Sequence, residues 1–345
     1  MFYNKRGRKR AVVCGLIEMM RSKNKKAVLR RRNLQYEGEA MDINPAEITA
    51  KIEAFIRGKL EAFQREGAVL GMSGGLDSAV VCALLSRALG PEKVLALILP
   101  ERDSSPQSKA DALLEIKRLG VAYREINLTP ILEAIGIYKL VPLHFLGIRQ
   151  IKESVVQQQH RKLAEELGEL PLTAGLLGTR DLGRQGHVLN SGLAYAHSKH
   201  RLRMVLLYYI AEQENRLVVG TTNKSEVMVG SLVKWGDNVA DIELITPLYK
   251  TQVRQLAAYL GVTQKIIDKA PTADLMPGIV DEEALGVDYA TLDTILWRLE
   301  QGWEPARIAA GYPISAQTIQ HVQEMMRRSG HMREMPPHAE LDMQD

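Results

Sequence analysis

The segment Gly71-Met72-Ser73-Gly74-Gly75-Leu76-Asp77-Ser78-Ala79-Val80-Val81 decides the fold. It sets glycines, two serines and one aspartate between two apolar runs. Ala68 to Met72 reads as a short buried strand, and Ser78 to Leu89 (SAVVCALLSRAL) reads as a helix. A strand, a bare polar turn and a helix make a phosphate cradle. Glycines let the backbone approach closely and turn several N–H groups inward, and the helix N-terminus adds its dipole. Ser73 and Ser78 supply hydroxyls. Asp77 would repel phosphates unless a metal ion stood between, and Mg2+ takes carboxylate and phosphate oxygens together. The turn lacks the lysine of the Gly-x4-Gly-Lys-Ser/Thr loop, and it is not Gly-x-Gly-x-x-Gly with an acidic ribose partner. The plainer alternative is a glycine-rich turn with incidental serines.

Outward from this turn, Asn44-Pro45-Ala46-Glu47 reads as a helix start, with Asn44 as cap and Pro45 in the first turn. VLALILP (94–100) and VAYREINL (121–128) read as strands flanking a helix over 107–120. RLRMVLLYYIAEQE (201–214) reads as a helix feeding the strand RLVVG (216–220). Such alternation predicts an α/β fold: a doubly wound, mostly parallel sheet with helices on both faces. Ligands of such sheets bind beyond the carboxyl ends of the strands, which places Gly71 to Asp77 and Gly220 to Glu226 at one edge. Residues 138–196 break the rhythm with a helix over 147–168 and a glycine-rich run over 173–194. They read as a partly mobile insertion, a lid or interface element. Beyond residue 280 the chain reads as mostly helical.

The 345 residues suffice for a large core, and 46% hydrophobic with 25% charged content is ordinary for a globular chain. Two cysteines, Cys14 and Cys82, provide neither a disulfide framework nor a Cys-x-x-Cys pair, which fits a reducing cytoplasm. Residues 1–40 hold twelve Lys/Arg against three acidic residues, a net +9, so the remainder carries −5 of the overall +4. We expect this basic leader to be disordered or an upstream misassigned start, with Met41 opening the folded domain of residues 41–345. A nucleic-acid role would rest on that arm alone. The apolar run beginning at Ala11 is interrupted by Glu18 and is too short to span a bilayer.

Ser-Gly-Gly-x-Asp-Ser after an apolar strand resembles the pyrophosphate loop of the N-type ATP pyrophosphatases, which split ATP into AMP and pyrophosphate. The stretch from Arg201 to Val262, with VVGTTNKSEVMVGSLVKWGDNVADIELITPLYKTQV within it, is similar to ammonia-dependent NAD+ synthetases. APTADLMPGIVDEEALGVDYATLDTIL and the late SGHMREMPP continue the likeness. The resemblance covers most of 45–137 and 197–340. It implies a Rossmann-like ATP pyrophosphatase fold, ATP as co-substrate, Mg2+, a homodimer, and amidation of nicotinic acid adenine dinucleotide (deamido-NAD+) by ammonia. It further implies ATP contacts by Gly71, Met72, Ser73, Gly74, Gly75, Leu76, Asp77, Ser78, Thr221, Lys250 and Thr272. Asp77 and Glu226 match the metal carboxylates. Arg201, Lys234, Asp241 and His331 match positions contacting the dinucleotide. Asp237 matches a carboxylate near the ammonia and nicotinate site, and Asp77, Lys250 and Asp237 are the catalytic candidates.

Taken singly, several of these have duller readings. Glu226 and Lys250 suit solvated helix surfaces, Asp237 and Asp241 suit turns, and Asn223-Lys224-Ser225 suits a helix start. The pattern also departs from the family at Met332, where the family has Lys, at His197, where it has Asn, and at Asn238-Val239, where Gly-Gly is common. Amidation of a different carboxylate therefore stays open, as does a non-catalytic nucleotide-binding role. No glutamine-hydrolysing domain is recognisable, so free ammonia is the expected nitrogen donor.

Overall fold

The structure, a computed structural model, describes residues 41–141 and 148–339. The expectations for residues 1–40 lie outside the described residues. Helix α1 (Pro45–Ala62) starts as the sequence suggests: the Asn44 side chain accepts a hydrogen bond from the Glu47 N–H, and Pro45 occupies the first turn.

Among the described residues five strands form one sheet: β1 (Gly67–Gly71), β2 (Val94–Ile98), β3 (Ala122–Glu125), β4 (Arg216–Gly220) and β5 (Ile242–Glu243). Their order is β3-β2-β1-β4-β5 and every pairing is parallel. Val69 stands opposite Leu95 on one side and Val218 on the other, which fixes the register. The chain winds from β1 outward through β2 and β3, then returns to β4 on the opposite flank. The switch point therefore lies between the ends of β1 and β4.

Side chains alternate along each strand, and the alternation sorts them into two cores. Ala68, Leu70, Val94, Ala96, Leu217 and Val219 pack beneath α2 (Leu76–Leu89), which also touches α1, α3 (Pro106–Leu119) and a later helix described below. Val69, Leu95, Leu97 and Val218 face the opposite layer, where Tyr195, Ile210 and Ala211 come from one long helix. Helices thus cover both faces, so the central strands read as continuous apolar runs. A short helix, α4 (Thr129–Ala134), follows β3.

The segment read as an insertion is largely helical. Helix α5 (Arg149–Leu167) is followed by α6 (Pro171–Gly175), a single 3-10 turn and α7 (Gly183–Gln213). The glycine-rich run therefore differs from the mobile loop the sequence suggested: its second half is the first turns of a 31-residue helix. The glycines at 186 and 192 lower helix propensity by about 1 kcal/mol each, and tertiary packing overrides that. Gly186 is needed for close approach, because a Cβ there would stand 2.8 Å from the Thr179 carbonyl oxygen.

The remaining helices are α8 (Lys224–Val229), α9 (Lys250–Tyr259), α10 (Gln264–Ile267), α11 (Asp281–Leu285), α12 (Tyr289–Glu300), α13 (Pro305–Gly311) and α14 (Ala316–Arg328). A third core, with Val229, Tyr249, Leu285, Tyr289, Leu292, Ile295, Ile308, Ile319, Val322 and Met325, joins α11 to α14 with α8. This C-terminal helical part holds α8 against the sheet edge.

Candidate functional site

The strands end in glycines on both sides of the switch point, Gly71 on β1 and Gly220 on β4. A cavity of about 250 Å3 opens there, lined by the turn after β1, Thr221, Glu226, Asp237, Lys250 and Thr272 among others. Every ATP-binding candidate except Gly74 lines it. Gly74 is the floor of the turn. Its φ is +73°, and a Cβ would stand 2.0 Å from the Ser108 carbonyl oxygen on α3. Only glycine fits, for conformational and steric reasons together. The Ser73 hydroxyl accepts from the Gly75 N–H (3.2 Å) and lies 3.0 Å from that of Ser78, which donates to the Gly75 carbonyl (3.1 Å). The two serines thus hold the turn open at the N-terminus of α2.

Asp77, in the first turn of α2, meets groups from α8 and α9. Lys250 Nζ bonds Asp77 Oδ2 closely and lies 3.4 Å from Glu226 Oε1. Asn223 donates to Asp77 Oδ1 at 3.3 Å. Asn223 and Glu226 also form a reciprocal capping box: the Glu226 N–H donates to Asn223 Oδ1 (3.1 Å) and the Asn223 N–H to Glu226 Oε2 (3.2 Å). So both readings of this stretch hold. It is a helix start, and that start aims Glu226 at Asp77.

One ammonium faces two carboxylates in a buried place. Burial works against the Lys250 charge, and Asp77 and Glu226 outweigh it and raise its pKa. Burial pushes the Glu226 carboxyl well above its usual range, with Lys250 opposing and Asp77 adding to the rise. The close Asp77–Lys250 pair dominates, and Glu226 is left under-compensated. That imbalance fits a second cation. Among the described residues no cluster of three or more His, Cys, Asp or Glu could hold a metal. Asp77 and Glu226 supply two carboxylates, and a Mg2+ ion held there would complete its sphere with phosphate oxygens and water.

Lys250 is itself 2% exposed and anchored through its backbone. Its N–H donates to Ser225 Oγ (2.9 Å), Ser225 Oγ donates to Asp293, and Asp293 also accepts from the Thr251 N–H (2.8 Å). Fully buried Asp293 on α12 thereby ties α8 to α9. Tyr289 places its ring 5.2 Å from Lys250 Nζ. Thr272 donates to the Ile279 carbonyl (3.0 Å) and accepts from the Asp274 N–H (3.1 Å), which shapes the far wall.

The dinucleotide candidates fall in two places, and none of the four lines the cavity. Arg201, Lys234 and His331 come together beside it: Arg201 donates to the Lys234 carbonyl at 3.3 Å, and Lys234 Nζ donates to the His331 carbonyl. Asp241 is apart, accepting from the Val218 N–H (2.8 Å) and facing the Tyr208 hydroxyl (3.4 Å). Asp237 is on the cavity wall. It accepts from the Val233 N–H (2.6 Å), and its Oδ2 lies 3.7 Å from His200 Nε2.

Sequence reading overlooked Asn223 as an Asp77 partner. It also overlooked Lys269, which donates to the Gly74 carbonyl (3.1 Å) and pairs with Asp111 (3.1 Å). The helices of the 138–196 segment support the rim. Fully buried Lys199 on α7 donates to Glu101 Oε1 (3.0 Å) and the Leu275 carbonyl (2.9 Å). On α5, Arg149 donates to the Ser104 carbonyl (2.9 Å) and Gln157 to the Gly278 carbonyl (2.7 Å). None of these carries a local signal, because each partner is remote in sequence.

A doubly wound parallel sheet with a glycine-rich, carboxylate-bearing turn at its switch point defines a Rossmann-like α/β protein. The NAD synthase family model matches residues 48–142 and 151–336, including most of the segment that the resemblance had left out. The NH(3)-dependent NAD(+) synthetase of Thermotoga maritima is 46% identical over 72% of this chain and 85% of its own. Among solved structures, an NMN synthetase from Francisella tularensis is 29% identical, with a TM-score of 0.64 over 87% of this chain and 100% of its own. An NH3-dependent NAD synthetase from Campylobacter jejuni is 25% identical, with a TM-score of 0.60 over the same shares. The chain belongs to the NAD synthase family.

Proposed function

We propose that this protein is a C–N bond-forming ligase that amidates deamido-NAD+ to NAD+ with ammonia, at the expense of ATP. The observation that carries the reading is the meeting of Asp77, Glu226 and Lys250 beside the glycine turn at the switch point. The nicotinate carboxylate attacks the α-phosphorus of ATP, pyrophosphate leaves, and ammonia displaces AMP from the acyl adenylate. The N–H groups of Ser73 and Gly74 and the α2 N-terminus bind phosphate. Lys250, released from Asp77, neutralises charge on the leaving pyrophosphate. Asp77 and Glu226 would hold Mg2+, which neutralises phosphate charge when bound. Asp237 faces the reacting acyl group, and Arg201, Lys234 and His331, with Asp241, receive the dinucleotide. A homodimer and a cytoplasmic setting accompany the reading. Among the described residues no helix is long and apolar enough to cross a membrane.

The test is AMP formation from ATP, Mg2+ and ammonium, with and without deamido-NAD+. Equal amounts of AMP and NAD+ support the reading. One observation favours a second carboxylate, that of nicotinic acid mononucleotide: the likeness to the NMN synthetase. AMP release with the mononucleotide and none with the dinucleotide would replace the substrate and keep the chemistry.

A further inference from the structure

The Gly74–Gly75 peptide is held from two sides. A trans peptide is planar, so its C=O and N–H point in opposite directions. Here the N–H donates to Ser73 Oγ (3.2 Å), and the C=O accepts from Lys269 Nζ (3.1 Å). Just upstream, the Met72 N–H is committed to the Leu97 carbonyl (2.8 Å). Among the described residues the N–H groups of Ser73 and Gly74 donate to nothing, so they are the free donors of the turn. Lys269 follows α10, stands three residues before Thr272, and lines the same cavity. Its ammonium has three acceptors: the Gly74 carbonyl, Ser108 Oγ (3.3 Å) and Asp111 Oδ2 (3.1 Å). Asp111 on α3 is 1% exposed and also takes Lys265 (2.8 Å) and Gln107 (2.7 Å). One buried carboxylate thus faces two ammonium groups, and Lys265 alone would neutralise it. What Lys269 adds is the bond to the turn.

We propose that Lys269 is a positioning residue for ATP: it holds the Gly74 carbonyl against α3 and so keeps the Ser73 and Gly74 N–H groups available to the β- and γ-phosphates. The inference rests on reading this cavity as the ATP site. With glycine on both sides, no Cβ opposes rotation of the Gly74–Gly75 peptide. Without the ammonium, its carbonyl can turn into the cavity and set an acceptor against phosphate oxygens. The positive charge left over beside Asp111 favours phosphate as well. All three N–H groups of the Lys269 ammonium are taken, so the side chain acts through the turn and does not touch the phosphates. AMP lacks the two phosphates concerned, and its binding should be indifferent to Lys269.

The experiment titrates the full chain by calorimetry with ATP and Mg2+, and separately with AMP. Deamido-NAD+ and ammonium are left out, so nothing turns over. Lys269→Met keeps the stem and loses the ammonium. Loss of one charged hydrogen bond predicts a Kd for ATP about tenfold higher, with the Kd for AMP unchanged. Lys269→Arg, which keeps charge and donors, recovers most of the loss. Lys265→Ala removes the ammonium that pairs with Asp111 away from the turn, and it leaves the Kd for ATP unchanged. If the methionine variant does not fold, Lys269→Gln, which keeps one donor and loses the charge, is read in the same way. An unchanged Kd for ATP overturns the proposal. So does an equal loss of AMP and ATP, or an equal effect of Lys265→Ala, since either makes Lys269 a packing residue. Absence of ATP binding by the unaltered protein would instead sink the reading of the cavity itself.

Discussion

Gly74 joins two demands at a single residue, a positive φ and a missing side chain. Gly74→Ala is expected to cost roughly 2–4 kcal/mol and to abolish the ATP-induced rise in melting temperature. A retained shift would show that the turn does not cradle phosphate in this form. Asp77→Asn should lower Mg2+-dependent AMP formation at least about 100-fold, because charge neutralisation at phosphate dominates such a reaction. A near-normal rate would remove Asp77 from the metal. Glu243 poses a subtler case. Burial lifts its carboxyl to about 8, the Thr222 backbone works against the rise, and Oε1 has no partner. Between pH 4.5 and about 8 the folded chain keeps a proton that the unfolded chain has released. Stability must therefore fall as pH rises through that window. Glu243→Gln should flatten this fall by up to a few kcal/mol, read from urea midpoints at pH 5 and pH 8. The glycine turn after β1 was legible in sequence because its demands are local. Glu243 was not, because its burial comes from Gly220 on the neighbouring strand, whose missing side chain leaves room for the carboxyl.

At the scale of elements, α8 has only six residues and no stability of its own. It is held by its capping box and by the C-terminal core. Asp293 on α12 bonds Ser225 on α8 and Thr251 on α9. Asp293→Ala leaves two buried donors unpaired and should cost about 2–4 kcal/mol. It should also lower kcat, since Lys250 and Glu226 lose their common support. Calorimetry with steady-state rates checks both, and an unchanged melting temperature would show that α8 is held without this bond. The helix over 201–214 was legible from its periodicity, and its start at Gly183 was not. Glycines at 183, 186 and 192 speak against helix locally, and only packing of Leu189 and Tyr195 against the rest of the protein decides otherwise.

Across the whole molecule, the acidic and basic parts of the site come from segments 173 residues apart, and the sheet order brings them together. Helix α7 runs from the segment beside the cavity to β4, with Val205 and Tyr209, one turn apart, exposed at 53% and 57%. If this face joins two copies, Tyr209→Asp should shift the sedimentation coefficient from dimer to monomer while the far-ultraviolet spectrum is unchanged. A monomeric unaltered protein would remove the dimer from the reading.

By itself, the sequence determined strands β1 to β4, the helices between β1 and β3, the glycine turn after β1 and the parallel class of the sheet. Each of these follows from local spacing of apolar residues, glycines and caps. The tertiary structure alone decided that Asn223 and Lys250 share Asp77, that Asp293 supports them from α12, and that His200 faces Asp237 without a partner. The reason is physical. Burial and pairing of polar groups depend on which distant segments meet, and no local pattern records that meeting.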